Sequence, residues 1–121
     1  MATVELNQEN FEAAVNGKDM VIVDFWAPWC GPCVSFAPTY EKMSEKYPNI
    51  VFGKVNTEVE QELAGYFQIR SIPTLMVFRE NVIVYSEAGA LPAAGLEQLI
   101  EHSQKLNMVE VHQQIADQVS N

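Results

Sequence analysis

Met20-Val21-Ile22-Val23-Asp24-Phe25-Trp26 runs directly into Ala27-Pro28-Trp29-Cys30-Gly31-Pro32-Cys33. The first stretch is β-branched and aromatic, with apolar residues on both parities, as in a strand covered by helices on both faces. The second holds two prolines and a glycine, so the strand must end there and a turn must follow. Beyond the turn a helix is expected from about Gly31 to Lys46, with Pro38 inside it removing one amide donor and kinking it.

Outward from this junction the chain alternates in type. Upstream, Thr3 to Leu6 reads as a short strand, and Asn7 is placed to cap a helix carrying Phe11, Ala14 and Val15, which Gly17 stops. Downstream, Ile50 to Asn56 reads as a strand and Val59 to Phe67 as a short helix. Thr74 to Arg79 and Val82 to Ala88 read as a hairpin, and Leu96 to about Lys105 as a closing helix. Short connections between alternating elements argue for an α/β sheet sandwiched by helices.

Composition narrows the function classes. The 121 residues are 48% hydrophobic, enough for one core and too few for a multidomain enzyme. A net charge of -9 opposes nucleic acid and anionic membrane surfaces. No apolar run approaches the roughly 20 residues that span a bilayer. Met1-Ala2-Thr3-Val4-Glu5 lacks the basic and apolar regions of a secretory signal, so a soluble protein in the reducing cytoplasm is expected. With Cys30 and Cys33 the only cysteines, a disulfide-stapled scaffold and a four-cysteine zinc site are both excluded. His102 and His112 lack zinc-finger spacing and read as solvated surface residues. Met20, Met43, Met76 and Met108 read as packing residues, and Glu58, Glu60 and Glu62 as a solvated acidic face.

The chemistry is concentrated in Trp29-Cys30-Gly31-Pro32-Cys33. A cysteine at a helix N-terminus faces unpaired N–H groups and the positive end of the helix dipole, which favour thiolate over thiol. Cys30 is therefore expected to be the nucleophile. Cys33, on the same face of the first turn, can attack a mixed disulfide at Cys30 and release the reduced substrate. Pro32 suits the first turn, where its missing N–H costs nothing. Two buried inert cysteines, or half of a metal site, are the competing readings.

The sequence resembles the thioredoxin family over about residues 3 to 104. The match includes Asp24-Phe25-Trp26-Ala27-Pro28-Trp29 leading into the cysteines, Ala37-Pro38, Lys54-Val55-Asn56, Ile72-Pro73-Thr74 and Gly89-Ala90. The resemblance implies a thioredoxin fold, with a central mixed β-sheet flanked by helices on both faces, and a cis-proline at Pro73 against the cysteines. A substrate segment would then add to the backbone at Ile72, and Trp29, Gly31, Pro32, Ile72, Gly89 and Ala90 would form an apolar docking surface. It also implies a general protein disulfide reductase, acting in electron transport and cell redox homeostasis. Such a protein needs no bound cofactor or metal, acts on disulfide-containing proteins as a monomer, and is returned to the dithiol by an NADPH-dependent thioredoxin reductase. An oxidase or isomerase tends to carry a histidine rather than Gly-Pro between the cysteines. A non-catalytic module clamped on a partner protein is the rival from another class.

Asp24 lies in the middle of an apolar strand, where desolvation should raise its pKa. A buried ion pair with Lys54 and a role as proton acceptor for Cys33 are both open from the residues. In the thioredoxin family the two hold together, which adds Asp24 and Lys54 to the catalytic set.

Three departures from the family pattern stand out. Val34 follows the second cysteine where many thioredoxins carry lysine. Glu80-Asn81-Val82 replaces an Asn-Gly-type turn, and Val82 disfavours positive φ, so another turn geometry is expected. Finally, residues 106–121 extend beyond the thioredoxin domain of residues 1–105. At about 100° per residue Met108, Val111, Ile115 and Val119 fall within an arc of roughly 80°. That makes an amphipathic helix, which is marginal alone and must lean on the domain's own flank or on a partner; the flank is expected, because the preceding helix delivers the segment there.

Overall fold

The protein, described here by a computed structural model covering residues 2–120, is organised around β2 (Met20–Trp26). This strand is buried along its first six residues and pairs on both sides. On one side it runs parallel to β3 (Val51–Asn56), which in turn runs parallel to β1 (Thr3–Glu5). On the other it runs antiparallel to β4 (Thr74–Arg79), which forms a hairpin with β5 (Val82–Ala88). The result is a mixed five-stranded sheet in the order β1-β3-β2-β4-β5.

Alternation along β2 divides the core in two. Met20 and Ile22 pack with Phe36, Tyr40 and Met43 of α2 (Gly31–Lys46) and with Leu96 and Ile100 of α4 (Ala93–Gln104). Val21, Val23 and Phe25 pack on the opposite face with Phe11 and Val15 of α1 (Phe11–Val15) and Leu63 of α3 (Gln61–Tyr66). Each such side chain taken fully out of water contributes about 1.5–3 kcal/mol, so the strand that delivers the cysteines is also the one the core depends on. The expected α/β sandwich is present, and Met20, Met43, Met76 and Met108 are all buried.

Several boundaries differ from expectation. Asn7 does cap, accepting from the N–H groups of Glu9 and Asn10 at 2.9 Å, but it caps a turn that precedes α1. Asn10 Oδ1 accepts in return from the Asn7 N–H at 2.7 Å. Gly17 follows α1 with φ +76°, as a helix stop requires. Residues 57–59 form a turn rather than the first turn of α3, because Asn56 Oδ1 accepts from Glu58 N–H and Asn56 O from Glu60 N–H. α4 begins at Ala93 on Pro92 as N-cap, earlier than the apolar periodicity suggested. α2 runs through Pro38 as one helix.

The β4–β5 turn corrects the sequence reading. Arg79 pairs with Val82, leaving Glu80 and Asn81 as the two loop residues, with φ +48° and +69°. Positive φ at both positions is the primed geometry of a two-residue hairpin, so the turn is of the ordinary hairpin kind. Val82 already belongs to the strand and does not face the φ problem. Glu80 tolerates its conformation with its N–H bonded to Asp19 O at 2.9 Å.

The C-terminal segment forms α5 (Met108–Ser120). Asn107 Oδ1 caps it through the Glu110 N–H at 3.2 Å. The apolar stripe is buried at Met108 and half-buried at Val111, yet Ile115 and Val119 are exposed at 38% and 81%. His112 Nε2 lies 2.8 Å from Glu80 Oε1. The helix thus leans on the domain's flank through its first turn and a half, and the rest of its stripe faces away from it.

Candidate active site

β2 ends at Trp26, and Ala27, Pro28 and Trp29 carry the chain to the N-terminus of α2. Cys30 is the N-cap of that helix, with extended backbone (φ -88°, ψ 112°) and Pro32 in the first turn. Its Sγ accepts a hydrogen bond from the Cys33 N–H at 3.2 Å, in the position where a Ser or Asp oxygen usually caps a helix. Cys30 and Cys33 are joined as a disulfide with Cα atoms 5.2 Å apart, and both are buried. The two cysteines are thus a bonded pair and not two separate thiols. Among the described residues no cluster of His, Cys, Asp or Glu could hold a metal.

The expected docking residues gather at this end of the sheet. Pro73 follows a cis peptide bond from Ile72 and is buried. The Ile72 carbonyl oxygen lies 3.8 Å from Cys30 Sγ, and the Ile72 side chain packs against the cysteines. Because β4 begins only at Thr74, the backbone of Ile72 stands outside the sheet ladder. Gly89 N–H donates to Pro73 O at 2.8 Å, which brings Gly89 and Ala90 to the same rim. Gly89 has φ +110°, a conformation side chains rarely adopt. Trp29, Gly31, Pro32, Gly89 and Ala90 are exposed, Trp29 to 68%. Val34 is exposed at 54% on the next turn, where it adds apolar surface instead of charge.

Asp24 lies beneath this surface, fully buried. Its register partners are Lys54 on β3 and Leu75 on β4. Burial pushes its pKa up to about 7, while the positive charge of Lys54 pulls the other way. Neither carboxylate oxygen has a hydrogen-bond partner among the described residues. The buried Tyr40 hydroxyl, whose pKa is raised by burial and then by the Asp24 charge, is bonded instead to the carbonyls of Ile22 and Gly53 at 3.0 and 2.8 Å. The expected Asp24–Lys54 ion pair is not formed. The Lys54 ammonium sits 4.5 Å from the centre of the Trp26 ring, a cation–π contact.

Trp26 is thus a site residue that the sequence reading used only as part of a motif. The available signal was parity: Asp24 and Trp26 lie two apart on β2, so their side chains share a sheet face with Lys54, the register partner of Asp24. Its side chain also packs against the buried cluster of Ala27, Cys30 and Cys33. His102 is exposed, and among the described residues no helix is long and apolar enough to cross a membrane.

Comparison with known proteins agrees with this geometry. A family model described as Thioredoxin matches residues 2–102. The chain is 52% identical over 117 residues to "Putative thioredoxin 2" of Streptomyces coelicolor, covering 97% of this chain and 87% of the relative. Among solved structures it is similar to a Plasmodium falciparum thioredoxin, with TM-score 0.77 and 37% identity over 83% of this chain and 98% of that one. It is also similar to thioredoxin f of spinach chloroplast, with TM-score 0.79 and 32% identity over 86% and 95% of the two chains. Covering 97% of this chain, the Streptomyces match takes in most of the segment after Lys105. The two solved chains are matched almost whole while covering 83% and 86% of this one.

Proposed function

Because the chain belongs to the thioredoxin family, we propose that it is a general protein disulfide reductase whose Cys30–Cys33 pair cycles between dithiol and disulfide. Its class, thiol-disulfide oxidoreductase, follows from the family and the paired cysteines. The observation that carries the finer reading is the Cys33 N–H directed at Cys30 Sγ over 3.2 Å at a helix N-terminus. The same donor and the helix dipole stabilise a negative sulfur at Cys30 in the reduced protein.

In the forward reaction the Cys30 thiolate attacks one sulfur of a substrate disulfide, and the other leaves as a thiolate that takes a proton from water. Cys33 then loses its proton to Asp24 and attacks Cys30 Sγ, which expels the second substrate sulfur and forms the Cys30–Cys33 disulfide. The substrate gains two electrons and two protons; the protein gives up two electrons and the Cys33 proton, which Asp24 passes on to the second sulfur, the other proton having come from water. With its pKa near 7, Asp24 can accept a proton at neutral pH and pass it on afterwards. Lys54 favours the charged carboxylate between turnovers. Trp29, Gly31, Pro32, Ile72, Pro73, Gly89 and Ala90 receive the substrate chain, which adds alongside the Ile72 backbone.

The electrons come from an NADPH-dependent thioredoxin reductase, and no bound cofactor takes part. Dithiol chemistry of this kind needs a reducing pool, which supports the cytoplasm as the compartment and cell redox homeostasis as the role. Residues 1–105 make the catalytic domain, and residues 106–121 a helical extension that contributes no redox group. The protein acts as a monomer. Insulin reduction coupled to NADPH and a thioredoxin reductase tests the reading: NADPH should be consumed with the protein present and not with Cys30→Ser. No consumption with the parent protein would remove the reductase assignment.

A further inference from the structure

We infer that Trp26 is a positioning residue, whose indole ring holds the Lys54 ammonium on the Asp24 side of the sheet and couples that charge to the cysteine pair. Three observations meet at this side chain. The Lys54 Nζ is 4.5 Å from the ring centre, within the roughly 6 Å over which a ring quadrupole attracts a cation. The same side chain packs against the buried cluster that Ala27 forms with Cys30 and Cys33. The indole Nε1 is buried with no hydrogen-bond partner among the described residues, so its NH anchors to nothing there and the ring acts through its face and its packing.

The groups around Asp24 make the placement of Lys54 decisive. From α2 it faces Tyr40, a neutral hydroxyl bonded elsewhere; from β4 its register partner is the apolar Leu75; from β3 it has Lys54. Among the described residues Lys54 is the one cation whose charge acts on Asp24, and no ion pair ties it there. Its flexible four-carbon stem would otherwise carry a strongly hydrated ammonium toward solvent. The Trp26 ring offsets that tendency by giving the ammonium a favourable site on the face that Asp24 occupies. Trp26 touches neither the proton nor the carboxylate, and acts on proton transfer through Lys54.

This rests on Asp24 as the proton acceptor, so the experiment separates the two. The Asp24 carboxyl is titrated by its ¹³C shift in the oxidised full-length protein, for the parent, Lys54→Met, Trp26→Leu, Trp26→Phe and the Trp26→Leu/Lys54→Met pair. Lys54→Met should raise the midpoint by about one pH unit, a tenfold tighter proton. Trp26→Leu should raise it in the same direction, Trp26→Phe by less because its ring face is a weaker cation site, and the double variant no further than Lys54→Met alone. A Trp26→Leu midpoint equal to the parent's, or a double variant in which the two shifts add, would overturn the inference. If Trp26→Leu does not fold, the same cycle with Trp26→Phe decides by the same additivity criterion. The pH profile of single-turnover insulin reduction is measured alongside. A titration that moves while the rate profile stays fixed upholds the positioning role and removes Asp24 as the acceptor.

Discussion

The backbone N–H of Cys33 points at the sulfur of Cys30 across 3.2 Å, so each cysteine has a different environment although only two residues separate them. Cys30 receives a donor and caps the helix; Cys33 sits one turn deeper and is exposed at only 1%. A sulfur that receives donors is the better thiolate, and the deeper one is reached only from its partner. Cys33→Ser should therefore accumulate covalent mixed disulfides with substrates through Cys30, and Cys30→Ser should not. Non-reducing gels of cells expressing each variant check this. Equal trapping by both would reverse or abolish the division of roles.

The Asp24 carboxyl ties stability to pH. Its folded pKa of about 7 lies above the ordinary value of 3.8, so the folded state binds the proton more tightly than the unfolded chain. The stabilisation is fully present below about pH 4 and is lost as pH rises through 7, up to about 4 kcal/mol in all. Asp24→Ala should flatten this dependence, denaturing in urea at a higher midpoint than the parent at pH 8 and turning over more slowly. A lower midpoint for the variant at pH 8 would contradict a raised pKa.

Arg79 is a buried cation with a divided set of partners. Its guanidinium donates to the Ser103 carbonyl at the end of α4 and, at 3.3 Å, to Asp19. Asp19 is 73% exposed against 8% for the arginine, so the ion pair itself is worth less than about 1 kcal/mol. Arg79→Ala should cost about 2–4 kcal/mol by removing packing and the guanidinium donor to the Ser103 carbonyl, which keeps only weaker backbone donors such as the Leu106 N–H at 3.4 Å, whereas Asp19→Ala should cost under about 1 kcal/mol. Chemical denaturation of the two variants compares them directly, and equal losses would mean that the surface pair carries the effect.

Truncation after Lys105 removes α5 with buried Met108 and the His112–Glu80 contact. The domain should lose about 1 kcal/mol and keep its insulin-reduction rate, because nothing on α5 reaches the cysteines. A large fall in rate in a folded truncated protein would mean that α5 shapes the active site. Elution of the parent as a dimer and of the truncated protein as a monomer would assign α5 to self-association.

What could be read in the sequence was what depends on local pattern. The apolar stretches of β2 on either side of Asp24, the helix-starting Cys30 and the stop at Gly17 each follow from a few residues and their neighbours. The hairpin turn was misread because Val82 was placed in the loop; the φ requirement fell one residue earlier, where Asn81 meets it readily and Glu80 is held by Asp19. The Asp24–Lys54 pairing was right in register and wrong in contact. A strand register places Cα atoms, while the end of a lysine side chain lies several bonds away and settles on the best site within reach, here an aromatic ring. The stripe of α5 was visible in its spacing, but spacing does not say how far the helix stays against the domain.

Hydrogen bonding on both edges of β2 has a consequence for how the protein breathes. Its amides lie in the middle of the ladder, bonded to β3 or β4, so exposing them means separating the sheet itself, whereas α5 can detach without disturbing it. In deuterated solvent the amides of Ile22, Val23 and Asp24 would exchange only as often as the whole domain opens, and those of α5 far sooner. The strand leading into the cysteines therefore belongs to the last unit to open, and the two sulfurs keep their spacing while the periphery fluctuates.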